Sequence, residues 1–162
     1  LIGGLVLPLT NYSKQFIGCQ IRSINKKSYD TFVLKRRPGG YFFGIGPNID
    51  SIWSKKEVTL VEGPFDQLLM ERLTDRPVIA ITTNSVGISQ FRFLRRFIKR
   101  INLCLDLDNA GVSGTKKLIK RCNDIFDIRR YKYPRLSPDD KDVGDLWKKV
   151  GDVKFKQLVR IE

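Results

Sequence analysis

Two short apolar runs in this sequence end in acidic residues that could bind a metal ion. In the first, residues 58–61 are followed by Glu62, Gly63 and Pro64, and in the second, residues 101–105 are followed by Asp106 and Asp108. An apolar run that gives way to Gly and Pro or to other turn residues is typical of a strand leading into a helix. Each acid would then lie at the carboxyl end of a strand, where open parallel sheets place their ligands.

These acids are spaced so that they could share one cation. Residues i and i+2 of a strand face the same side, so Asp106 and Asp108 would converge if strand geometry extends that far, with Glu62 facing them from a neighbouring strand. Carboxylates without histidine or thiolate suit Mg²⁺ or Mn²⁺ better than zinc. Asp66, in the first turn of a predicted helix, could support the site, but the helix dipole explains an acid there equally well. Asp142 precedes another predicted helix and is explained most simply as its N-cap.

The elements that would position these acids alternate between strand and helix. We predict strands at 58–62, 77–81, 101–106 and 127–131, and helices at 64–74, 89–100, 110–124, 142–149 and 152–160. This order predicts the α/β class, a Rossmann-like parallel sheet with helices on both faces. Short strands at 5–9, 16–22 and 31–34 and a helix at 48–53, with Trp53 packed inward, predict a small β-rich basic subdomain before it. The expected divisions are 1–56, 57–149 and a helical segment at 150–162.

Composition narrows the classes of function. The chain has 162 residues, with 30 Lys and Arg against 17 Asp and Glu, which gives a formal charge of +13 and favours a polyanionic partner. It contains no histidine, so imidazole acid–base chemistry is excluded. Its three cysteines share no C-x-x-C spacing, which favours a reducing intracellular setting. No apolar run is long enough to span a membrane, and the absence of an initiating Met suggests a piece of a longer protein.

Basic residues cluster in several places. Arg22, Lys35, Arg36 and Arg37 precede an aromatic segment at 41–43, and this combination fits either a groove for a nucleic-acid backbone or a hairpin whose aromatics are core. In the predicted helix 89–100, Phe91, Leu94, Phe97 and Ile98 form an apolar stripe. Its basic residues are either solvated or in contact with phosphates; they are Arg92, Arg95, Arg96, Lys99 and Arg100.

The acidic motifs resemble those of the TOPRIM domain, and in particular of bacterial and phage DnaG-like primases. Residues 62–66, E-G-P-F-D, are similar to the family's E-G-Y-x-D, and residues 106–111, D-L-D-N-A-G, to its D-x-D-x-A-G. Lys141 and Asp142 are similar to the start of its late K-D-P element. Residues 8–22 and 41–44 resemble, more loosely, segments that precede the acids in those primases.

The resemblance implies DNA-templated synthesis of a short RNA primer by nucleotidyl transfer. It implies Glu62, Asp106 and Asp108 as catalytic residues, which with Asp66 and Asp142 would hold Mg²⁺ or Mn²⁺, as two ions. It also implies single-stranded DNA and nucleoside triphosphates as partners, a replicative helicase that contacts regions outside this chain, and the cytoplasm of a bacterium or phage-infected host. The residues expected to bind template or nucleotide are Arg22, Lys35, Arg36, Arg37, Asn84 and Ser85.

The sequence departs from the family pattern at two motifs. Asn84 and Ser85 stand where the family has Gly-Thr, and Val143 and Gly144 stand where it has Pro followed by an acid, so that a sixth acid is either absent or replaced by Asp145. Two other functions stay open: a TOPRIM nuclease that cleaves DNA or RNA with the same acids, and a non-catalytic module that binds nucleic acid. A catalytic core without zinc-binding and helicase domains is expected to prime poorly alone.

Overall fold

The chain folds into two β-sheets flanked by helices. The computed structural model describes residues 3–25, 28–34, 41–81, 91–92 and 94–162. In chain order the elements are β1 Gly4–Thr10, β2 Phe16–Ser23, β3 Tyr29–Val33, β4 Phe42–Phe43, α1 Ile45–Lys55, β5 Glu57–Val61, α2 Pro64–Leu73, β6 Val78–Ile81, β7 Arg100–Cys104, α3 Asn109–Cys122, β8 Asp127–Lys132, α4 Val143–Leu158 and β9 Arg160–Ile161.

The larger sheet has the strand order β4-β6-β5-β7-β8-β9. Its four inner strands are parallel, which confirms the predicted α/β class. The two edge strands, β4 and β9, are antiparallel to their neighbours and were not predicted. The smaller sheet is antiparallel, in the order β1-β2-β3, and its strands lie close to the predicted ones.

Both faces of the larger sheet are covered, because successive residues of its strands point to opposite sides. Every residue of β5 is buried: Val58 and Leu60 pack in one apolar cluster, and Val61 packs in the other. The first cluster includes residues of α1 and α3, and the second includes residues of α2, α4 and β1. The helices that follow β5 and β7 therefore lie on opposite faces of the sheet.

Three predicted helices differ from the structure. Of the predicted helix 89–100, Phe91, Arg92 and Leu94 are helical, but residues 95–97 form a turn and β7 begins at Arg100. The helix ends early because the N–H groups of Lys99 and Arg100 both donate to the Lys56 carbonyl, at 2.8 and 3.2 Å. The predicted helices 142–149 and 152–160 are one element, α4, with a kink at Gly151 (φ 69°, ψ 179°), and β9 takes the place of its last residues.

The two aromatic residues of β4 are core, whereas most other aromatic residues of the first third are exposed. Phe42 and Phe43 are 6% exposed and sit in β4, so neither is free to stack on a base. The prediction that Trp53 packs inward is wrong: it is 42% exposed and lies against the ring of Phe97, with centroids 5.5 Å apart. Both β4 and α1 precede residue 57, yet they pack with the larger sheet. The divisions at 56 and 149 stay predictions.

No helix in the described ranges is both long enough and apolar enough to cross a membrane.

Candidate metal centre

The predicted acids follow β5 and β7, the two strands between which the chain changes direction across the sheet. From β5 the chain moves to β6 on one side, and later enters β7 on the other side of β5. Such a topological switch point opens a crevice at the carboxyl ends of the two strands, because the helices after them diverge to opposite faces. Glu62 directly follows the last residue of β5, and Asp106 lies two residues beyond the end of β7.

A hydrogen bond joins the two strand ends. The Asp106 N–H donates to Oε1 of Glu62 at 3.1 Å. Gly111 makes this approach possible, since a Cβ there would lie 2.1 Å from the Asp106 carbonyl oxygen and 2.8 Å from Glu62 Oε1. The glycine in the D-x-D-x-A-G motif is therefore a steric requirement of the contact between the acids.

Asp108 reaches this region by a different route from the one predicted. Since β7 ends at Cys104, strand alternation does not bring Asp106 and Asp108 to one face. Instead Asp108 is the N-cap of α3, and its Oδ1 accepts a hydrogen bond from the Gly111 N–H at 2.9 Å. One oxygen of Asp108 is thus used by the cap.

Two further acids come from helix N-termini on the other face. Asp66 lies in the first turn of α2, and Asp142 is the N-cap of α4, accepting from the Asp145 N–H at 2.8 Å. Gly144 lies beside both carboxylates: a Cβ there would be 3.0 Å from Oδ1 of Asp142 and 3.5 Å from Oδ1 of Asp66. Asp142 thus caps α4, as the sequence suggested, and also lies near Asp66.

The acids perturb one another's proton affinity. Burial, followed by the charges of Glu62, Asp66, Asp142 and Asp108, raises the pKa of Asp106 to about 8. Burial and the charge of Asp142 raise the pKa of Asp66 to about 7. The pKa of Glu62 is also raised, chiefly by burial, although the Asp106 N–H opposes the change. In the absence of a cation this edge of the sheet therefore carries negative charge at a cost in free energy.

The donor set fits a hard divalent cation. All five side chains offer oxygen, and the nearby thiol of Cys104 has its pKa raised well above the usual value by burial and by Asp66 and Asp106, so it stays protonated. Oxygen ligands of this kind suit Mg²⁺ or Mn²⁺. Across the described ranges, no group of three or more acidic or thiol side chains is already arranged as a complete ligand set.

Both carboxylate oxygens of Asp145 already have partners. Its Oδ2 accepts from the Lys141 N–H at 3.2 Å, and its Oδ1 pairs with the Lys148 ammonium at 3.3 Å. Burial opposes the effect, but these two partners lower the pKa of Asp145. Gly144 stands in the family's second acidic position, and the replacement of that acid by Asp145 stays one of the two predicted alternatives.

Of the expected nucleic-acid ligands, Arg22 is described and half-buried on β2. Lys35, Arg36, Arg37, Asn84 and Ser85 lie outside the described residues. Arg100, counted on a basic helix face in the sequence, is ion-paired with Asp127 at 2.7 Å and Glu57 at 3.6 Å. It lies at the amino end of β7, away from the acids at the carboxyl end, and those ion pairs neutralise its charge.

Sequence reasoning did not find the aromatic partners of Arg22. Its guanidinium lies 4.5 Å from the ring centroid of Tyr29 and 5.9 Å from that of Phe65. Arg22 and Tyr29 are direct cross-strand partners, so the register of the β2–β3 pair would have indicated that contact. Phe65 comes from α2, and nothing in the local sequence signals its approach.

Comparison with known proteins places this geometry in a family. A family model described as Toprim-like matches residues 59–147, more than half of the chain. The chain is 27% identical over 162 residues to the DNA primase of Rickettsia typhi, an alignment that includes 96% of this chain and 27% of that protein. The chain thus spans about a quarter of the length of that curated relative.

Solved primase structures share the fold. The zinc-binding and RNA polymerase domains of the Aquifex aeolicus primase superpose with a TM-score of 0.76 and 23% identity, covering 97% of this chain and 40% of that one. The RNA polymerase domain of the Mycobacterium tuberculosis primase DnaG gives 0.79 and 21% identity, covering 98% and 55%. Its complex with a double-stranded DNA gives 0.75 and 21%, covering 98% and 53%. Sequence motifs, sheet topology and the matched family model agree, and the chain belongs to the Toprim-like family.

Proposed function

We propose that this chain is part of the catalytic core of a DNA primase, which synthesises a short RNA primer on single-stranded DNA with Mg²⁺ or Mn²⁺. The observation that carries the proposal is the gathering of mutually repelling carboxylates at the switch point of the sheet. A chain with a formal charge of +13 that nonetheless collects acids at one edge is suited to a polyanionic substrate and a bridging cation. The curated relatives, which are DNA primases, support the same activity.

The proposed chemistry assigns separate tasks to the acids. Glu62, Asp106 and Asp108 would hold the metal, with Asp66 and Asp142 supporting them. Divalent ions bound there, two in the proposed form, would supply the positive charge that polarises the phosphate during attack of a 3′-hydroxyl on a nucleotide α-phosphate.

The fixed geometry of the site serves placement rather than proton transfer. The Asp106 N–H orients the Glu62 carboxylate, and Gly111 leaves room for that contact. Electrostatic stabilisation of this kind requires groups held in position before the reaction begins.

The proposed substrates are a single-stranded DNA template and nucleoside triphosphates. Arg22 and the basic cluster at Lys35, Arg36 and Arg37, together with Asn84 and Ser85, would contact their phosphates. The Mycobacterium tuberculosis relative has been solved with double-stranded DNA, which supports a nucleic-acid surface on this fold. A replicative helicase would be engaged by regions outside this chain, and the proposed setting is the cytoplasm of a bacterium or phage-infected cell.

The test is primer synthesis by the chain and by variants at the acids. The chain is incubated with single-stranded DNA, labelled ribonucleoside triphosphates and Mg²⁺ or Mn²⁺, beside Asp106→Asn and Glu62→Gln. Asp124→Asn is the matched control, because Asp124 is an exposed acid beyond the end of α3. We expect a low yield of short metal-dependent oligomers from the chain and the control, and none from the two acid variants.

Other outcomes separate the alternatives. Acid-dependent shortening of labelled DNA without synthesis would favour a nuclease. DNA binding that is unchanged in both acid variants, with no synthesis or cleavage in any of them, would favour a non-catalytic module.

A further inference from the structure

Arg22 is held by two aromatic rings from different parts of the fold. The cross-strand partner Tyr29 on β3 lies 4.5 Å from its guanidinium carbon, and Phe65 on α2 lies 5.9 Å away. Both distances are within the range of about 6 Å in which an aromatic face attracts a cation. Both rings are partly open to solvent, with Tyr29 40% and Phe65 43% exposed.

The contact with Phe65 ties Arg22 to the acidic edge of the sheet. Phe65 lies in the first turn of α2, between the helix-starting Pro64 and the acid Asp66. Arg22 belongs to the antiparallel sheet, so the ring bridges that sheet to the helix that carries one of the clustered carboxylates. Phe65 belongs to the E-G-P-F-D motif, so the guanidinium lies against a ring in the same helical turn as Asp66.

The donors of Arg22 are not used within the described part of the chain. No hydrogen bond or ion pair of its guanidinium is found there, in contrast to Arg72, Arg76 and Arg100, which are each paired with carboxylates. Stacking against rings engages the face of the guanidinium and leaves its N–H edge available. A planar edge of this kind matches the oxygens of a phosphate group.

We propose that Tyr29 and Phe65 are positioning residues that hold the Arg22 guanidinium so that it binds a phosphate at the acid-lined edge of the sheet. This inference rests on the proposed function, in which that phosphate belongs either to a nucleoside triphosphate or to the template strand. The simpler alternative is that the rings only cover the aliphatic stem of Arg22 and fill the junction between the sheets.

The first experiment measures phosphate binding by ring variants of the full chain. Phe65→Leu and Tyr29→Leu are compared with Phe65→Tyr and Tyr29→Phe, which keep the rings. Phe32→Leu is the control, since Phe32 is 55% exposed and lies on the opposite face of β3 from Tyr29. The probes are α,β-methylene ATP with Mg²⁺, by calorimetry, and a dT oligonucleotide, by fluorescence anisotropy, with thermal melting as a check of folding.

The leucine variants are expected to bind one probe about three- to tenfold more weakly, from the usual size of a partly exposed cation–π contact. The ring-keeping variants and Phe32→Leu should bind within about twofold of the parent chain, judged against the same scale. Weakening confined to the triphosphate assigns the phosphate to the nucleotide, and weakening confined to the oligonucleotide assigns it to the template. Unchanged binding of both probes by both leucine variants would overturn the inference.

A double-mutant cycle separates positioning from packing. In an Arg22→Ala background the Phe65→Leu change should cost no further affinity, because the group that the ring positions is gone. An undiminished loss in that background would show that Phe65 acts by packing alone, and would overturn the inference.

Primer synthesis distinguishes failure of this inference from failure of the proposed function. If the inference is correct and the phosphate is that of the nucleotide, the leucine variants raise the nucleotide KM and leave kcat nearly unchanged. Synthesis that is abolished by Asp106→Asn, but has the same KM for both substrates in all ring variants, would contradict the positioning role alone. A parent chain that binds neither probe would contradict both.

Discussion

Replacing Asp106 by asparagine should stabilise the metal-free chain at alkaline pH and weaken its response to divalent cations. The pKa of Asp106 is raised to about 8 from its ordinary 3.8, by burial and then by neighbouring carboxylates. A raised pKa in the folded state stabilises the fold at low pH, and this contribution is lost as the pH rises through the folded value. The parent chain should therefore lose stability between about pH 4 and pH 8, where the variant has no carboxylate to ionise.

The size of this effect follows from the pKa difference after correction for solvent. One pKa unit corresponds to about 1.4 kcal/mol, so a fully isolated group shifted from 3.8 to about 8 would contribute several kcal/mol. Asp106 is partly exposed and shares its protons with Asp66 and Glu62, whose pKa values are also raised. Solvent screening and this coupling reduce the expected gain to about 1–2 kcal/mol at pH 8.

Urea denaturation in EDTA and in Mg²⁺, at pH 5 and pH 8, measures the effect. In EDTA the variant should exceed the parent chain in unfolding free energy at pH 8, and the difference should narrow at pH 5. Millimolar Mg²⁺ should stabilise the parent chain at pH 8 and the variant much less, because a ligand that binds only the folded state adds its binding free energy to stability. A variant that is less stable than the parent in EDTA at pH 8 would refute the electrostatic reasoning.

Three further substitutions test other contacts. Gly111→Ala places a Cβ against the Asp106 carbonyl, and should cost about 1–3 kcal/mol of stability and most of the synthesis activity; an active variant of normal stability would contradict the steric role. The pKa of Asp140 is lowered chiefly by its bond to Lys149, so Asp140→Asn should destabilise the chain at pH 7 by an amount that shrinks as the pH falls below about 4; urea denaturation showing a pH-independent loss would contradict this. Phe155→Ala removes a ring that is 1% exposed and should cost about 3–5 kcal/mol in urea denaturation; a loss below about 1 kcal/mol would show that α4 does not depend on it.

The acids could be located from the sequence because the end of a strand can be recognised from the residues next to it in the chain. The apolar runs before Glu62 and Asp106, and the Gly-Pro and Asn-Ala-Gly turns after them, follow from burial and turn formation within a few residues. Their meeting depends on β5 lying between β6 and β7, which is a long-range property of the sheet. The rule that ligands lie at the carboxyl ends of parallel strands suggested this meeting, and the resemblance to a family supported it.

The errors of the sequence reasoning have long-range causes as well. Phe91, Leu94 and Ile98 are buried as the helical periodicity indicated, but the helix ends early because the Lys56 carbonyl, distant in sequence, binds the Lys99 and Arg100 amides. The edge strands β4 and β9 have two residues each, too few to produce a periodic pattern.

The most direct test of the central claim is a crystal of the chain grown with Mn²⁺ and examined by anomalous scattering. The proposed site predicts manganese at the carboxyl ends of β5 and β7, coordinated by Glu62 and Asp106 and lost in Asp106→Asn crystals. Ordered manganese only at other carboxylates, or none at a concentration that supports activity, would contradict it.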